Sequence, residues 1–190
     1  MKEEFQRLYT AHIHREGAEE LRRWLESTDF YTAPASTRFH GAREGGLVAH
    51  SVHVYRRLAR LLRAEYGGDC PYTDETAALC GLLHDVCKTG FYAAASRNVK
   101  NEQTGKWEKQ PFYTVDDKFP FGHGEKSVFL IERFVRLSID EALAIRWHMG
   151  GFDTAARGGE YALAGAMDRC PLAVLLHLAD MQATHLDEVK

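Results

Sequence analysis

No stretch of this sequence approaches the ~18 to 20 consecutive apolar residues that a membrane-spanning helix requires, so no membrane segment is expected. No CxxC pair is present. Cys70, Cys80, Cys87 and Cys170 form no secreted-type framework, and read as free thiols in a reducing cytoplasm. The N-terminus, MKEEFQRLYT, is charged and lacks the apolar centre of a secretory signal. Strong charge of one sign is also missing. A net charge of −3 argues against a tight nonspecific grip on a nucleic-acid backbone, although it leaves nucleic acid open as a substrate. There is no internal repeat and no low-complexity tract. With 190 residues, 45% of them apolar, the chain is long enough to bury one sizeable core. The expectation is a soluble, cytoplasmic, single-domain protein.

What the sequence does contain is an ordered set of histidines and aspartates: His50, His84-Asp85, His123, His148 and Asp180. Five of the six sit in apolar or helical surroundings, such as GGLVAHSVHV, LCGLLHDVCK, ALAIRWHMGG and LAVLLHLAD. Lone polar groups are costly to bury in such places unless they bind something. Imidazole and carboxylate together suit Fe, Mn, Zn or Ni, and six such groups exceed the needs of one tetrahedral ion. The adjacent pair is the more specific signal. Neighbouring residues on a helix point about 100° apart, so both reach one centre only if it lies between their directions.

Periodicity predicts a mostly helical chain. Helices are expected over Lys2 to about His14, Ala18 to Ser27, and about Leu47 to Tyr66, the last with a stripe through Leu47, Ser51, Val54, Leu58 and Leu61 that includes His50. Thr73 or Asp74 is expected to cap a helix carrying AALCGLLHDVCK and ending near Gly90. Residues 91–122 break the helical period, and a β-hairpin is expected around Thr104-Gly105. Helices then follow over Gly124 to about Leu137 and over Ser138 to His148, the second with a Ser138/Glu141 capping box. Gly150 to Gly159 reads as loop. A last helix starts at Pro171 and runs to the C-terminus.

The segments GGLVAHS, LLHDVCK and LLHLAD, in this order, resemble the signatures of the HD superfamily of metal-dependent phosphohydrolases. The resemblance covers about Pro34 to Glu188. It implies an all-α HD-domain helical bundle, in which the β-hairpin read around residues 96–115 is a small distinguishing insertion. The N-terminal helices would occupy 1–33 and the HD core 34–188 of a single domain spanning 1–190. Carried over by position, His50, His84, Asp85 and Asp180 would hold one metal and His123 and His148 a second, with Asp85 bridging. The implied cofactors are two divalent transition-metal ions (Fe, Mn or Ni, with Zn or Mg as alternatives). Within the superfamily, APASTRFHGAREGGLVAHSVHV and LLHLADMQAT are most similar to the catalytic domain of HD-type 3′-5′ exoribonucleases. Those enzymes carry an N-terminal OB-fold domain for which this chain has no room. Their usual threonine- and glutamate-containing approach to the last helix is also missing here.

The chemistry this implies is hydrolysis of a phosphoester. Two divalent ions sharing a water lower its pKa from about 15.7 toward neutral and stabilise charge on the phosphoryl oxygens. Asp85 and Lys88 are the expected catalytic residues, Lys88 lying three positions after the aspartate and facing phosphate or leaving group. His40, Arg43, Lys88, Arg97 and Trp107 are expected to bind substrate. The aromatic and cationic hairpin residues suit a base and its phosphate and could form a lid. His53 is expected merely to pack, and His177 to support a ligand or fill the core. The expected substrate is a nucleotide or short oligonucleotide, with no stable complex with long nucleic acid. An HD-type di-iron oxygenase, a 3′-5′ exoribonuclease acting on longer RNA and a noncatalytic nucleotide sensor are the competing functions.

Overall fold

The computed structural model describes residues 1–38 and 41–188. It is mainly helical, with one two-stranded antiparallel sheet among the described residues. In chain order the elements are α1 (Lys2–His12), α2 (Ala18–Glu26), α3 (Gly46–Tyr66), α4 (Asp74–Leu83), β1 (Tyr92–Lys100), β2 (Trp107–Val115), α5 (His123–Glu132), α6 (Ile139–Trp147), α7 (Thr154–Arg157), α8 (Ala162–Arg169) and α9 (Pro171–Gln182). A π-helical turn, Ala183–Asp187, continues α9. No single helix among the described residues is long and apolar enough to cross a membrane.

The core lies where α3 packs on α4 and α9 and where α6 meets α9. Leu47, Val54 and Leu58 of the expected stripe are buried, but Leu62, not Leu61, completes it. Phe5, Leu8 and Tyr9 of α1 and Leu21 and Leu25 of α2 join the same apolar cluster. Two glycines set how closely helices approach. A Cβ on Gly81 would lie 2.5 Å from the Tyr55 Cα, so only glycine lets α4 press against α3. A Cβ on Gly124 would lie 2.1 Å from the Arg146 carbonyl oxygen, and the same holds for α5 against α6.

A buried carboxylate ties the N-terminal helices to this core. Both oxygens of Glu141 accept from Arg15, at 2.8 and 3.0 Å, and Thr76 Oγ1 adds a third bond at 2.8 Å. Glu141 also completes the expected capping box with Ser138. Glu75 accepts from the backbone N–H groups of His14 and Arg15, at 2.7 and 2.9 Å. The α1–α2 turn, α4 and α6 therefore meet at one bonded cluster.

Several boundaries differ from the sequence reading. The helix expected to reach Gly90 stops at Leu83 and is followed by a 3₁₀ turn, Val86–Lys88. Asp85 breaks it, with φ −104° and ψ 16°, so the His-Asp pair escapes the 100° divergence that one continuous helix would impose. α5 ends at Glu132, because the N–H groups of Phe134 and Val135 both turn back to the Ile131 carbonyl. Residues 150–159 are not simply loop: Asp153 Oδ1 accepts from Ala155 and Ala156 and caps α7. α8 has no counterpart in the sequence reading.

The hairpin begins earlier than expected, at Tyr92, and pairs from Tyr92↔Val115 to Lys100↔Trp107. Ala93, Ala94 and Ala95 carry little strand signal. They are recruited by Thr114, Tyr113 and Phe112 opposite them. At the turn, Asn101 Oδ1 accepts from Gln103 and Thr104, and Gly105 supplies a φ of +70°.

Candidate metal centre

The break after α4 and the ends of three other helices deliver six side chains to one small volume. His50 lies in the second turn of α3 and Asp180 near the end of α9. His84 and Asp85 occupy the break itself, His123 opens α5, and His148 immediately follows α6. His50, His84, Asp85 and His148 are buried, while the His123 side chain keeps 28% of its surface exposed and marks the open side of the centre.

Each of the four histidines is held by Nδ1. The carbonyls of Gly81 and Ile145 lie 3.0 Å from His84 Nδ1 and 2.6 Å from His148 Nδ1. A carbonyl oxygen can only accept, so both Nδ1 atoms carry the proton, and in the neutral ring Nε2 keeps its lone pair. Glu188 Oε1 does the same for His50 at 3.1 Å. Cys87 Sγ lies 3.4 Å from His123 Nδ1. His177 Nδ1 donates to the His148 carbonyl at 2.7 Å and so steadies the turn that carries His148.

The four Nε2 atoms converge on Asp85, and they divide between its oxygens. Oδ2 faces His50 and His84, each at 3.6 Å, and Oδ1 faces His123 at 2.9 Å and His148 at 3.5 Å. Asp180 Oδ1 stands on the first side, 3.1 Å from His50 Nε2. Lys88 Nζ reaches Asp85 Oδ2 at 2.5 Å, because residues i and i+3 eclipse one another in a 3₁₀ turn. Three sets of donors are close enough to share an ion: His50, His84 and Asp180; His84, Asp85 and His148; Asp85, Cys87 and His123.

The electrostatics call for cations. Burial opposes ionisation of Asp85, yet Lys88, His84 and the hydrogen bond from His123 hold its carboxyl well below the usual range. Burial likewise opposes ionisation of Asp180, and His50 outweighs it. Three carboxylates (Asp85, Asp180, Glu188) against one ammonium (Lys88) leave a deficit of two positive charges. Protons fill it: burial disfavours charged His50, but Asp180 and Glu188 lift it to about 9. His123, similarly opposed by burial, is raised to about 10 by Cys87 and Asp85. His84 goes the other way, and burial takes it down to about 3.

His148 Nε2 decides whether a metal fits. It is buried and has no hydrogen-bond partner among the described residues. An unmatched buried polar atom costs about 1–3 kcal/mol, and a divalent cation satisfies a lone pair as well as the charge deficit. The sequence model of the HD domain matches residues 47–183, which include all six converging side chains. The chain belongs to the HD domain family. HD domains are in general metal-dependent phosphohydrolases that bind divalent ions. At the level of individual proteins, neither a curated relative nor a solved structure matches the chain.

Of the other residues expected at the HD site, Lys88 is in the centre, with 12% of its side chain exposed. Arg43 is exposed and lines a cavity of about 300 Å³ with His53, Asp187 and Glu188. His40 lies outside the described residues. Arg97 and Trp107 are not brought to the metal centre: Arg97 stacks on Phe112 at 5.5 Å, and Trp107, 70% exposed, sits at the distal end of the hairpin. At about 3.3 Å per residue, that end lies some 26 Å along the strand from Tyr92, whose hydroxyl donates to the Ala35 carbonyl.

Sequence reasoning missed Glu188 and underrated Cys87 and His53. His53 does more than pack, since its Nδ1 shares Glu188 Oε1 at 2.9 Å. The carbonyl anchors of His84 and His148 had no sequence signal, since every residue has a carbonyl.

Proposed function

We propose that the chain hydrolyses a phosphoester in a nucleotide or short oligonucleotide, using two divalent ions bridged by Asp85. The observation that carries the reading is the division of Asp85, with one oxygen toward His50 and His84 and the other toward His123 and His148. A single ion has no need of such a division, and a bridging carboxylate requires it. His50, His84, Asp180 and one Asp85 oxygen would hold the first ion, and His123, His148 and the other oxygen the second. Bound there, the ions supply Lewis acidity, lowering the pKa of water and polarising phosphoryl oxygens.

The remaining roles fall to the protein. The Nδ1 anchors keep the four rings aimed inward, with Nε2 toward Asp85. Burial favours loss of the Lys88 proton, but Asp85 overrides it and holds the lysine above its ordinary range, so Nζ stays cationic at neutral pH. Nζ, held beside Asp85, is assigned to meet a phosphoryl oxygen or the leaving group. Substrate enters by the open side at His123 and Lys88, with Arg43 assigned to the parts beyond the reacting phosphate. The four cysteines, all unpaired, suit the cytoplasm.

Metal analysis of protein purified without oxygen, paired with a nucleotide-panel hydrolysis assay, tests this. Metal-dependent release of phosphate or of a nucleoside is expected. Iron-dependent O₂ uptake with an organic substrate would replace the reading by an oxygenase. Processive decay of long single-stranded RNA, with mononucleotides and dinucleotides untouched, would replace it by an exoribonuclease.

A further inference from the structure

The HD match ends at residue 183, yet the chain continues through a π-helical turn to Glu188. With 3.6 residues per turn, ordinary α-winding would carry Glu188 roughly 80° around the axis from Asp180. The turn is instead closed by a bond from the Glu188 N–H to the Ala183 carbonyl five residues back, 3.1 Å long. Such a turn rotates the chain less per residue, and π-turns recur at functional sites. Here it brings Glu188 back against α3, where its side chain is only 8% exposed.

Two contacts make the placement a built one. Asp187 takes both the Nε (2.7 Å) and Nη2 atoms of Arg57, a paired clamp on the turn. Glu188 Oε1 then lies 3.1 Å from His50 Nδ1 and 2.9 Å from His53 Nδ1. These two histidines are one helical turn apart on α3, so a single carboxylate oxygen fixes both rings. A carboxylate behind a ligating imidazole sets its tautomer, fixes its orientation and raises its basicity.

We propose that Glu188 is a positioning residue for the metal centre. Through Oε1 it fixes the His50 ring so that Nε2 points to the ion, and the π-turn clamped by Arg57–Asp187 is the device that holds it there. The assignment rests on the metal reading given above, and it concerns a segment outside the matched HD domain.

The test uses the full chain and its Glu188→Ala, Glu188→Gln and Asp187→Asn variants. The Mn²⁺ dissociation constant is measured by calorimetry, the visible spectrum of the Co²⁺-loaded protein is recorded, and thermal unfolding is followed without metal. Loss of an outer carboxylate of this kind weakens metal binding about 10- to 100-fold, and that is the loss expected for Glu188→Ala, with an altered Co²⁺ spectrum. Glu188→Gln, which keeps an acceptor for both N–H groups, should recover part of the affinity, and Asp187→Asn should lose less than Glu188→Ala. A Glu188→Ala protein that binds Mn²⁺ as tightly as wild type overturns the assignment alone. So does an equal loss in the alanine and glutamine variants matched by an equal fall in metal-free stability, because it would make Glu188 a fold contact. A wild-type chain that takes up no Mn²⁺ overturns the underlying metal reading and the assignment with it.

Discussion

Asp85 and Lys88 stand 2.5 Å apart but should fail differently when replaced. Asp85→Ala removes both oxygens that the four histidines face, so metal content and turnover should fall together. Lys88→Ala removes a cation that touches the aspartate and, being protonated, has no lone pair to offer an ion. It should retain its metal while kcat falls by about 100-fold or more, the scale of losing one preorganised charge partner in a transition state. Elemental analysis and steady-state kinetics on the two variants check the split, and normal turnover in the lysine variant would remove it from the mechanism. At this scale the sequence was informative about identity and poor about geometry. The order of the six side chains and their apolar settings were visible. A bridging Asp85 was implied by the family resemblance, but the way its two oxygens divide between histidine pairs was not legible, since it depends on a helix break of which the run LCGLLHDVCK gives no sign. Glu188 was hidden for a related reason: its contact with His50 depends on a π-turn, and a period of 3.6 points it elsewhere.

Two close helix approaches bring the histidine pairs together, and both pass through glycine. Gly81 lets α4 meet α3, whose His84 and His50 rings lie 5.2 Å apart, and Gly124 lets α5 meet α6, whose His123 and His148 rings lie 5.1 Å apart. The obstructing atoms are backbone, so neither site can yield by a rotamer change. Gly81→Ala and Gly124→Ala should each cost about 1–3 kcal/mol, the usual range for overpacking. Each should also reduce metal content, which a substitution at the open Gly165 should not. Urea unfolding and metal analysis give both numbers, and full metal content in the Gly81 variant would contradict the role given to this packing. The hairpin is the opposite kind of element. Isolated two-stranded hairpins are marginal in water, and its distal half is exposed. Removing residues 101–106 should therefore leave metal content unchanged and act on KM or substrate range. Helices with a strong stripe or cap were legible in the sequence, as α3 and α6 show. The strand through Ala93–Ala95 and the short α7 and α8 were not, because they form by pairing and packing rather than by local preference.

Across the whole molecule, the Arg15–Glu75–Glu141 cluster joins the N-terminal helices to the helices that carry the metal centre. Burial works against the Glu141 charge, but the bonds from Arg15, Ser138 and Thr76 depress its pKa from 4.5, and Glu75 is lowered as well. A carboxylate with a depressed folded value stabilises the fold above its unfolded pKa and loses that contribution as pH falls through the folded one. Stability should thus be sustained down to about 4.5 and decline below it. Glu141→Ala, which leaves the partly buried Arg15 with Glu75 as its one carboxylate partner, should cost about 1–3 kcal/mol at pH 7 and flatten the acid slope. Urea midpoints between pH 7 and 3 measure both effects, and an unchanged slope would mean that Glu141 is ionised as easily unfolded as folded.

Whether two ions share Asp85 is tested most directly by anomalous diffraction at the manganese edge from crystals of the Mn²⁺-loaded protein. Two peaks are predicted, one beside His50, His84 and Asp180 and one beside His123 and His148, with an Asp85 oxygen on each. A single peak, or peaks away from Asp85, would contradict it.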